Sequence, residues 1–383
     1  MKNKNIRYCI NCIHDETYPR IRFDANGKCN YCTEIEKLKK IYGTGTQEGI
    51  NKFKLIVKKI KKEKKRNSKY DCVVGISGGT DSSYLLYTCV KYGLKPLAVH
   101  YDNTWNTAVA SSNIRKVLDG LGIDLYTWVL SNKESEDLVR SFFFASVSEL
   151  DAPTDLAIAE VLYRAAKKFN VNYILEGHSF ITEGITPLSN NYFDGKYIQD
   201  IHSKFGKLKK LKTYPLMTLF NFVKWSCFYQ IKRIRPFWYL NYSKNEAMDF
   251  LKKEFDWKYY SGHHLENRIS SFFHSVYLPR KFSQDYRINT ISARVREKEI
   301  SREKGVEILN EEPFIEKNII DYFIKRLKIS KDKYNEVMAK KKSYWYNFKT
   351  YKKTFEHFSF IFYFLVKKNL IPESFYIKYC KKR

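Results

Sequence analysis

The sequence lacks any hydrophobic run long enough to cross a membrane. Its most apolar stretches, residues 216–231 and 358–366, fall short of the roughly 20 residues that span a bilayer, and Lys224 and Gln230 interrupt the first of them. No apolar segment of the signal-peptide type follows the opening residues MKNKNIRYCI. These absences argue against helical membrane spans, and we expect a cytoplasmic protein.

Acidic residues are also scarce. The 383 residues include 41 Asp and Glu against 69 Lys and Arg, which gives a formal net charge of +28 at pH 7. Such a charge attracts polyanions, whether nucleic acid, anionic lipid or substrates that carry phosphate or carboxylate, but it does not choose among them. Lys, Asn, Ile and Tyr are abundant together, so a compositional bias with solvated charges explains the excess equally well.

Four of the eight cysteines form one pattern. Cys9 and Cys12 are separated by two residues, as are Cys29 and Cys32, and sixteen residues lie between the two pairs. Two such pairs supply four thiolates to one ion and are typical of a structural zinc ribbon. A redox dithiol is the competing interpretation, but it does not need two matched pairs. The sequence therefore predicts a zinc site that folds the N-terminus.

Short apolar segments alternate with helical ones between residues 70 and 200. This alternation predicts an α/β fold with a parallel sheet, whose ligands lie beyond the carboxyl ends of the strands. From about residue 204 the pattern becomes helical, basic and aromatic. The predicted strands are residues 70–76, 94–101, 125–130 and 171–176, and the predicted helices are residues 82–92, 108–121, 133–145 and 156–169.

A strand–turn–helix segment contains the most specific motif, Ser77-Gly78-Gly79-Thr80-Asp81-Ser82-Ser83. Glycines let the backbone approach an anion, and the following helix N-terminus offers free N–H groups and a positive dipole end. The hydroxyls add donors, and Asp81 is a candidate ligand for a metal that bridges phosphates. The G-x-x-x-x-G-K-[ST] pattern of a Walker loop is absent.

Two further groups of polar residues fall where ligands are expected. Thr154 and Asp155 enter a helix after Pro153, and Glu176-Gly177-His178 and Glu183 follow the fourth predicted strand. Helix capping explains the first of these groups about as well as a binding site does. Farther along, His263, His264, Glu266 and Arg268 gather within six residues, which suits an acidic, hydroxyl-rich ligand or proton transfer.

The loop at 77–83 resembles the S-G-G-x-D-S-S signature of the PP-loop ATP pyrophosphatase superfamily. Together with the Cys pairs, the P-T-D and E-G-H segments and the W-K-Y-Y-x-G-x-H-x-E-x-R segment at 257–268, it is similar to the bacterial N-acetyl sugar amidotransferases of the WbpG and PseA type. The resemblance spans about residues 7–310. It implies that ATP adenylates the acetamido group of a surface-polysaccharide sugar and that ammonia gives an acetamidino group, in lipopolysaccharide O-antigen or pseudaminic acid biosynthesis.

The resemblance also implies partners and site residues. The cofactors are ATP, Mg²⁺ and Zn²⁺, the substrate is an acidic or nucleotide-linked sugar, and ammonia comes from a separate glutaminase subunit. No nucleic acid is expected. The implied catalytic residues are Ser77, Asp81, His263 and His264; the ATP site comprises Ser77, Gly78, Gly79, Thr80, Asp81, Ser82, Ser83, Asp102, Glu176, Gly177 and His178; the substrate site comprises Thr154, Asp155, Glu183, His263, His264, Glu266 and Arg268.

Two other functions stay open at this point. A PP-loop enzyme that modifies tRNA would suit the basic charge and the zinc site. A non-catalytic protein of the membrane surface would suit lysine-rich residues 204–212 followed by apolar residues 214–231, read as a basic amphipathic helix. The predicted domains are a zinc ribbon (1–45), a basic linker helix (46–69), the PP-loop domain (70–203), a helical substrate-binding region (204–310) and an aromatic helical extension (311–383).

Overall fold

Five short parallel strands form the one sheet of the described chain. The computed structural model describes residues 6–185, 192–260, 266–368, 370–371 and 375–380. The strands lie side by side in the order β3-β2-β1-β4-β5. Val73 pairs with Leu97 on one side and with Ile174 on the other, so β1 is central. The strands are β1 (Cys72–Gly75), β2 (Pro96–Asp102), β3 (Leu125–Val129), β4 (Tyr173–Leu175) and β5 (Lys232–Ile234).

Helices make up most of the remaining described residues. Three π-helical segments (Lys224–Phe228, Phe273–Phe282 and Tyr376–Cys380) and two 3₁₀ turns (Pro236–Trp238 and Trp345–Asn347) supplement the α-helices. None of the described helices is both long enough and apolar enough to cross a membrane. The α-helices are α1 (Asn30–Tyr42), α2 (Gln47–Lys62), α3 (Thr80–Lys91), α4 (Ala108–Leu121), α5 (Asn132–Ala145), α6 (Ala152–Lys168), α7 (Phe180–Glu183), α8 (Gly195–Phe205), α9 (Leu219–Val223), α10 (Lys244–Phe255), α11 (Arg268–Phe272), α12 (Arg287–Arg296), α13 (Arg302–Asn310), α14 (Ile319–Leu327), α15 (Lys331–Ala339), α16 (Lys352–His357) and α17 (Ser359–Lys367).

Each face of the sheet is covered by helices. Successive strand side chains point to opposite faces, so Val73 and Val74 belong to different apolar clusters. The cluster around Val74 includes residues of α2, α3, α4 and α10, whereas the cluster around Val73 includes residues of α5, α6, α8, α11 and α14 to α17. The inner strands β1, β2 and β4 are buried on both faces, which explains why they read as continuous apolar runs, whereas the edge strands β3 and β5 are partly exposed.

The order of the strands creates a crevice at the carboxyl edge of the sheet. From β1 the chain proceeds to β2 on one side, while β4 lies on the other side of β1. Loops after β1 and β4 therefore diverge over this edge, which is where open α/β sheets bind ligands. The predicted fold class, a parallel α/β sheet with a helical C-terminal region, is confirmed, and the loops at 76–79 and 176–179 lie at this position.

The expectation of a purely helical chain after residue 204 is wrong at β5. Residues 232–234 add a fifth parallel strand, in which Tyr173 pairs with Lys232. Three residues are too few to show a strand period, so the pattern gave no signal. The basic amphipathic helix left open as an alternative over residues 204–231 is not formed: α8 ends at Phe205, and the apolar part forms the short α9 and a π-helical segment.

Candidate active site

The loop after β1 has a conformation that requires glycine. Gly78 has φ +83°, and a Cβ there would lie 2.4 Å from the carbonyl oxygen of Ala110. Gly79 follows in extended conformation and is the N-cap of α3, where it has no side chain to bond the first-turn N–H groups. Uncapped N–H groups and the helix dipole together favour an anion at this position.

Hydroxyl groups surround this turn. Ser77 Oγ accepts a hydrogen bond from the Gly79 amide at 3.2 Å and lies 3.3 Å from Ser82 Oγ. The hydroxyls of Thr80 and Ser83 are buried and, within the described part of the chain, have no hydrogen-bond partner. Buried polar groups are rarely left unpaired, so the loop has donors available for a ligand.

Asp81, in the first turn of α3, is held by two residues that the sequence analysis did not single out. The Tyr242 hydroxyl donates to Oδ1, and Lys244 Nζ lies 3.0 Å from Oδ2. Burial acts to lower the pKa of Lys244, but the carboxylates of Asp81, Glu183 and Glu266 outweigh this effect and raise it. Three predicted site carboxylates thus surround one lysine ammonium beside the loop.

Glu266 reaches the loop from a distant part of the chain. Its Oε1 accepts a hydrogen bond from Ser77 Oγ at 3.2 Å, and its backbone oxygen accepts one from the Thr107 amide at 3.0 Å. Its Oε2 is buried without a hydrogen-bond partner among the described residues. Hard cations such as Mg²⁺ prefer carboxylate oxygens, so Asp81 and Glu266 are suitable ligands for an ion at the phosphates.

Glu176 is clamped by two arginines at the end of β5. Arg233 Nε donates to Oε1 at 2.7 Å, and Arg235 Nε donates to Oε2 at 3.1 Å. Burial acts to raise the pKa of Glu176, but the two guanidinium groups outweigh it and lower the pKa to about 2. The Glu176 carboxylate is therefore ionised and bound to both arginines, and these contacts hold the arginines at the crevice along the carboxyl edge of the sheet.

The next two residues face the same crevice. A Cβ on Gly177 would lie 3.1 Å from the Asp81 carbonyl oxygen, so the loop after β4 packs closely on the first turn of α3. His178 Nδ1 accepts a hydrogen bond from Trp238 Nε1 at 3.1 Å. Burial, and secondarily the charge of Arg235, lowers the pKa of His178 to about 3, so its ring is neutral at physiological pH.

The remaining predicted binding residues differ in their surroundings. Asp102 accepts a hydrogen bond from the Thr104 amide at 2.7 Å at the end of β2. Thr154 Oγ1 accepts one from Asn103 Nδ2 at 3.3 Å. Arg268 is engaged by Glu316, 3.1 Å away, so its guanidinium is directed to the segment before α14 and not to the loop. His263 and His264 lie outside the described residues.

Two further acidic residues, Asp151 and Asp155, lie at the start of α6. Asp151 Oδ1 is buried and unpaired within the described structure, and burial, reinforced by Asp155, raises the pKa of Asp151 well above its usual range. Asp155 is exposed in the first turn of α6, and desolvation by the surrounding protein, opposed by Lys378, raises its pKa to about 6. Burial lowers the pKa of Lys378 to about 8, against the opposing charges of Asp155 and Glu149.

Sequence reasoning missed Arg233, Arg235, Tyr242 and Lys244. All four lie in or just after β5, in the stretch IKRIRPFWYLNYSK. They follow the rule that functional residues gather at the carboxyl ends of parallel strands, but the strand itself was not predicted. The run of arginines beside aromatic residues was the available signal.

The four N-terminal cysteines come together as predicted. Their sulfur atoms all lie within 4.8 Å of one another, with Cys9 and Cys32 3.9 Å apart and Cys12 and Cys29 3.8 Å apart. Four sulfurs at about 2.3 Å from a tetrahedral zinc ion would be separated by about 3.8 Å. The cluster therefore fits a Cys₄ zinc site in both donor type and spacing.

A cationic side chain from α12 adjoins this cluster. All three guanidinium nitrogens of Arg296 are buried and make no hydrogen bond to any described residue. The pKa of Cys32 is lowered mainly by hydrogen bonds from Cys12 and Cys29, and the charge of Arg296 adds a smaller effect in the same direction. A zinc ion with four thiolates carries a net charge of −2, which this single guanidinium would offset in part. Nearby, Lys39 Nζ lies 2.7 Å from Glu297 Oε1, so the N-terminal region is joined to α12.

The parallel sheet, the glycine turn and the hydroxyl-rich helix start form the α/β architecture and anion-binding loop that the PP-loop resemblance predicts. Residues 266–361 match the family model for the LPS (lipopolysaccharide) biosynthesis protein WbpG-like, C-terminal domain. The resemblance expected from the sequence is thereby confirmed: the chain is similar to WbpG-type PP-loop proteins. The matched region begins at the residue whose carboxylate contacts Ser77.

Other similarities are more distant. The chain is 30% identical over 169 residues to the uncharacterized protein MJ1599 of Methanocaldococcus jannaschii, and the match covers 39% of this chain and 58% of that protein. Two solved structures are loosely similar at 12% identity. NMN synthetase from Francisella tularensis has a TM-score of 0.30, covering 72% of this chain and 89% of that one; NH3-dependent NAD synthetase from Campylobacter jejuni has 0.28, covering 82% and 99%.

Proposed function

We propose that this protein is an ATP-dependent amidotransferase that converts the acetamido group of a bacterial surface-polysaccharide sugar into an acetamidino group. The observation that carries the proposal is the contact between Ser77 of the loop and Glu266, the first residue of the WbpG-like region. This contact joins the anion-binding loop to the region whose resemblance indicates the sugar chemistry.

The proposed reaction has two steps. The amide oxygen of the sugar attacks the α-phosphorus of ATP, and the bond to pyrophosphate breaks. Ammonia then attacks the activated carbon, AMP leaves with the former amide oxygen, and loss of a proton gives the amidine. The first-turn amides of α3, with Ser77 and Thr80, would hold the pyrophosphate, and Lys244 would add a positive charge. Mg²⁺ bound by Asp81 and Glu266 would stabilise charge on the departing phosphates.

The substrate would lie beside Thr154, Asp155 and Glu183. Carboxylates there are suited to bind sugar hydroxyls, and Arg233 and Arg235 are suited to an acidic group or a nucleotide diphosphate. Ammonia would come from a separate glutaminase subunit. Seven of the eight cysteines are buried, and Cys227 is the one that is partly exposed, which supports an external nitrogen source.

The test supplies the protein with ATP, an ammonium salt and a nucleotide-linked N-acetyl amino sugar, and follows AMP and pyrophosphate. We expect both products only when the N-acetyl group is present; the same sugar without its acetyl group is the matched control. Stimulation of AMP release by tRNA instead of the sugar would favour the second candidate, a tRNA-modifying enzyme, for which the net charge of +28 is the supporting observation.

A further inference from the structure

Helix α17 exposes large apolar side chains on its outer face. Phe360 is 68% exposed and Phe364 is 58% exposed, with Ile361 and Tyr363 beside them, whereas Phe362 on the opposite face is buried. A helix that is apolar all round normally has both faces covered. At nine residues, α17 is too short to span a bilayer. Its outer face thus requires a partner that covers it from one side.

A second exposed apolar group lies on a neighbouring element. Phe220 in α9 is 75% exposed, and Phe228, in the π-helical segment that continues α9, is 78% exposed. The two elements meet through Phe375, whose ring stacks on Phe222 at 4.4 Å and lies 5.9 Å from Phe362. We use the name aromatic patch for Phe220, Phe228, Phe358, Phe360, Ile361, Tyr363 and Phe364.

The chain around the aromatic patch is basic. Residues 201–232, which precede the arginines of the candidate active site, contain seven lysines and no Asp or Glu. Residues 349–371 contain five lysines and a single acidic residue, Glu356, which lies 3.2 Å from Lys352. Lys367 and Lys368 follow the exposed face of α17, and Lys367 Nζ lies 5.2 Å from the ring centre of Tyr363.

From this combination we propose that the aromatic patch docks the protein on the surface of an anionic lipid bilayer. Aromatic side chains bury their rings at the boundary between headgroups and acyl chains, while lysines beside them contact lipid phosphates. A symmetric contact between two copies would bring the lysines of both patches together, and their repulsion disfavours it. This docking does not depend on the proposed reaction, because none of its residues belongs to the loop at 77–83 or to the proposed substrate site.

The experiment is sedimentation of the full-length protein with vesicles of phosphatidylcholine, with and without phosphatidylglycerol. We expect binding to the phosphatidylglycerol vesicles, weakened by high salt, and at least about tenfold weaker binding for the variant Phe360→Ser with Phe364→Ser, because two apolar rings no longer enter the membrane boundary. Phe314→Ser, which alters a 54% exposed aromatic residue outside the patch, is the matched control and should bind as the unaltered protein does.

Three results would overturn the inference. One is no binding to either vesicle; another is equal binding by the double variant and the unaltered protein. The third is a dimer in sedimentation velocity, without lipid, that the double variant abolishes, since the patch would then be the contact between two copies. Circular dichroism melting of each variant verifies that the fold is retained; if the double variant unfolds, Lys367→Gln with Lys368→Gln replaces it and should reduce binding to phosphatidylglycerol vesicles.

Discussion

Ser77 donates a hydrogen bond to Glu266 over 3.2 Å, joining residues that are 189 positions apart in the chain. The first lies in the anion-binding loop after β1, and the second begins the region that matches the WbpG-like domain. Glu266 is fixed in place from behind, where its backbone oxygen accepts a hydrogen bond from the Thr107 amide at the start of α4. The loop and the C-terminal region therefore form one site.

Substitution Glu266→Gln tests this relationship. The amide oxygen can still accept from Ser77, but the negative charge beside Asp81 and Lys244 is lost, so we expect AMP formation to fall by about a hundredfold or more with little change in melting temperature. Arg268→Gln is the control two residues away, because Arg268 pairs with Glu316. Equal losses in the two variants would show that Glu266 has no special part in the site.

Gly79→Ala tests whether the loop after β1 binds the phosphates of ATP. Gly79 has φ −76°, so alanine causes no backbone strain, but its Cβ would lie 2.9 Å from the Tyr260 hydroxyl and 3.1 Å from Glu266 Oε1. We expect ATP to bind at least about tenfold more weakly by calorimetry, with the fold retained. Gly75→Ala, whose Cβ would meet nothing closer than 3.4 Å, should leave ATP binding unchanged. Unchanged ATP binding by Gly79→Ala would show that the loop is not the phosphate-binding site.

The Cys₄ cluster predicts a metal requirement for folding. We expect one zinc ion per chain by elemental analysis, lost in Cys12→Ser, and a lower melting temperature after strong chelation. Arg296→Met should retain zinc yet lower the melting temperature, because the net charge of −2 on the site loses its buried partner; Arg296→Lys should restore part of the loss. Full stability of the chelated protein would contradict a structural metal.

Glu149 gives a pH dependence that stability measurements can detect. Burial raises its pKa to about 7, against smaller opposing effects of Ser148, Tyr197 and Lys378. A carboxyl whose folded pKa exceeds its unfolded value of about 4.3 binds protons more tightly in the folded state, so its contribution is full below pH 4 and is lost as pH rises to about 7, on the order of 3 kcal/mol. Urea unfolding of Glu149→Gln should therefore show a smaller decrease between pH 5 and 8 than the unaltered protein.

Local sequence patterns were sufficient to predict the features that depend on residues close together in the chain. The glycine turn, the four apolar strands and the spacing of Cys9, Cys12, Cys29 and Cys32 each occur within a short stretch of chain, and the structure has them where the patterns indicated. Contacts between distant segments were not predictable in this way. The pairing of Glu176 with Arg233 requires β5 beside β4, and a three-residue strand has no period to recognise.

The sequence also does not show which way the side chains of a polar cluster point. Glu266 and Arg268 stand two positions apart, and the polar cluster together with the family resemblance assigned both to the substrate. The structure turns Glu266 toward the loop and Arg268 toward Glu316, because Asn267 between them caps α11 and fixes the direction of the chain. Backbone direction at a helix start is set by tertiary contacts that sequence spacing does not contain.

The most direct test of the proposed function is transfer of labelled nitrogen to the sugar. The protein is incubated with ATP, ¹⁵N-ammonium and an N-acetyl amino sugar nucleotide, and the sugar is analysed by mass spectrometry. The proposal predicts that one ¹⁵N replaces the acetamido oxygen, with one AMP formed per sugar, and that Asp81→Asn abolishes both. Formation of ADP, or of AMP without nitrogen in the sugar, would contradict it.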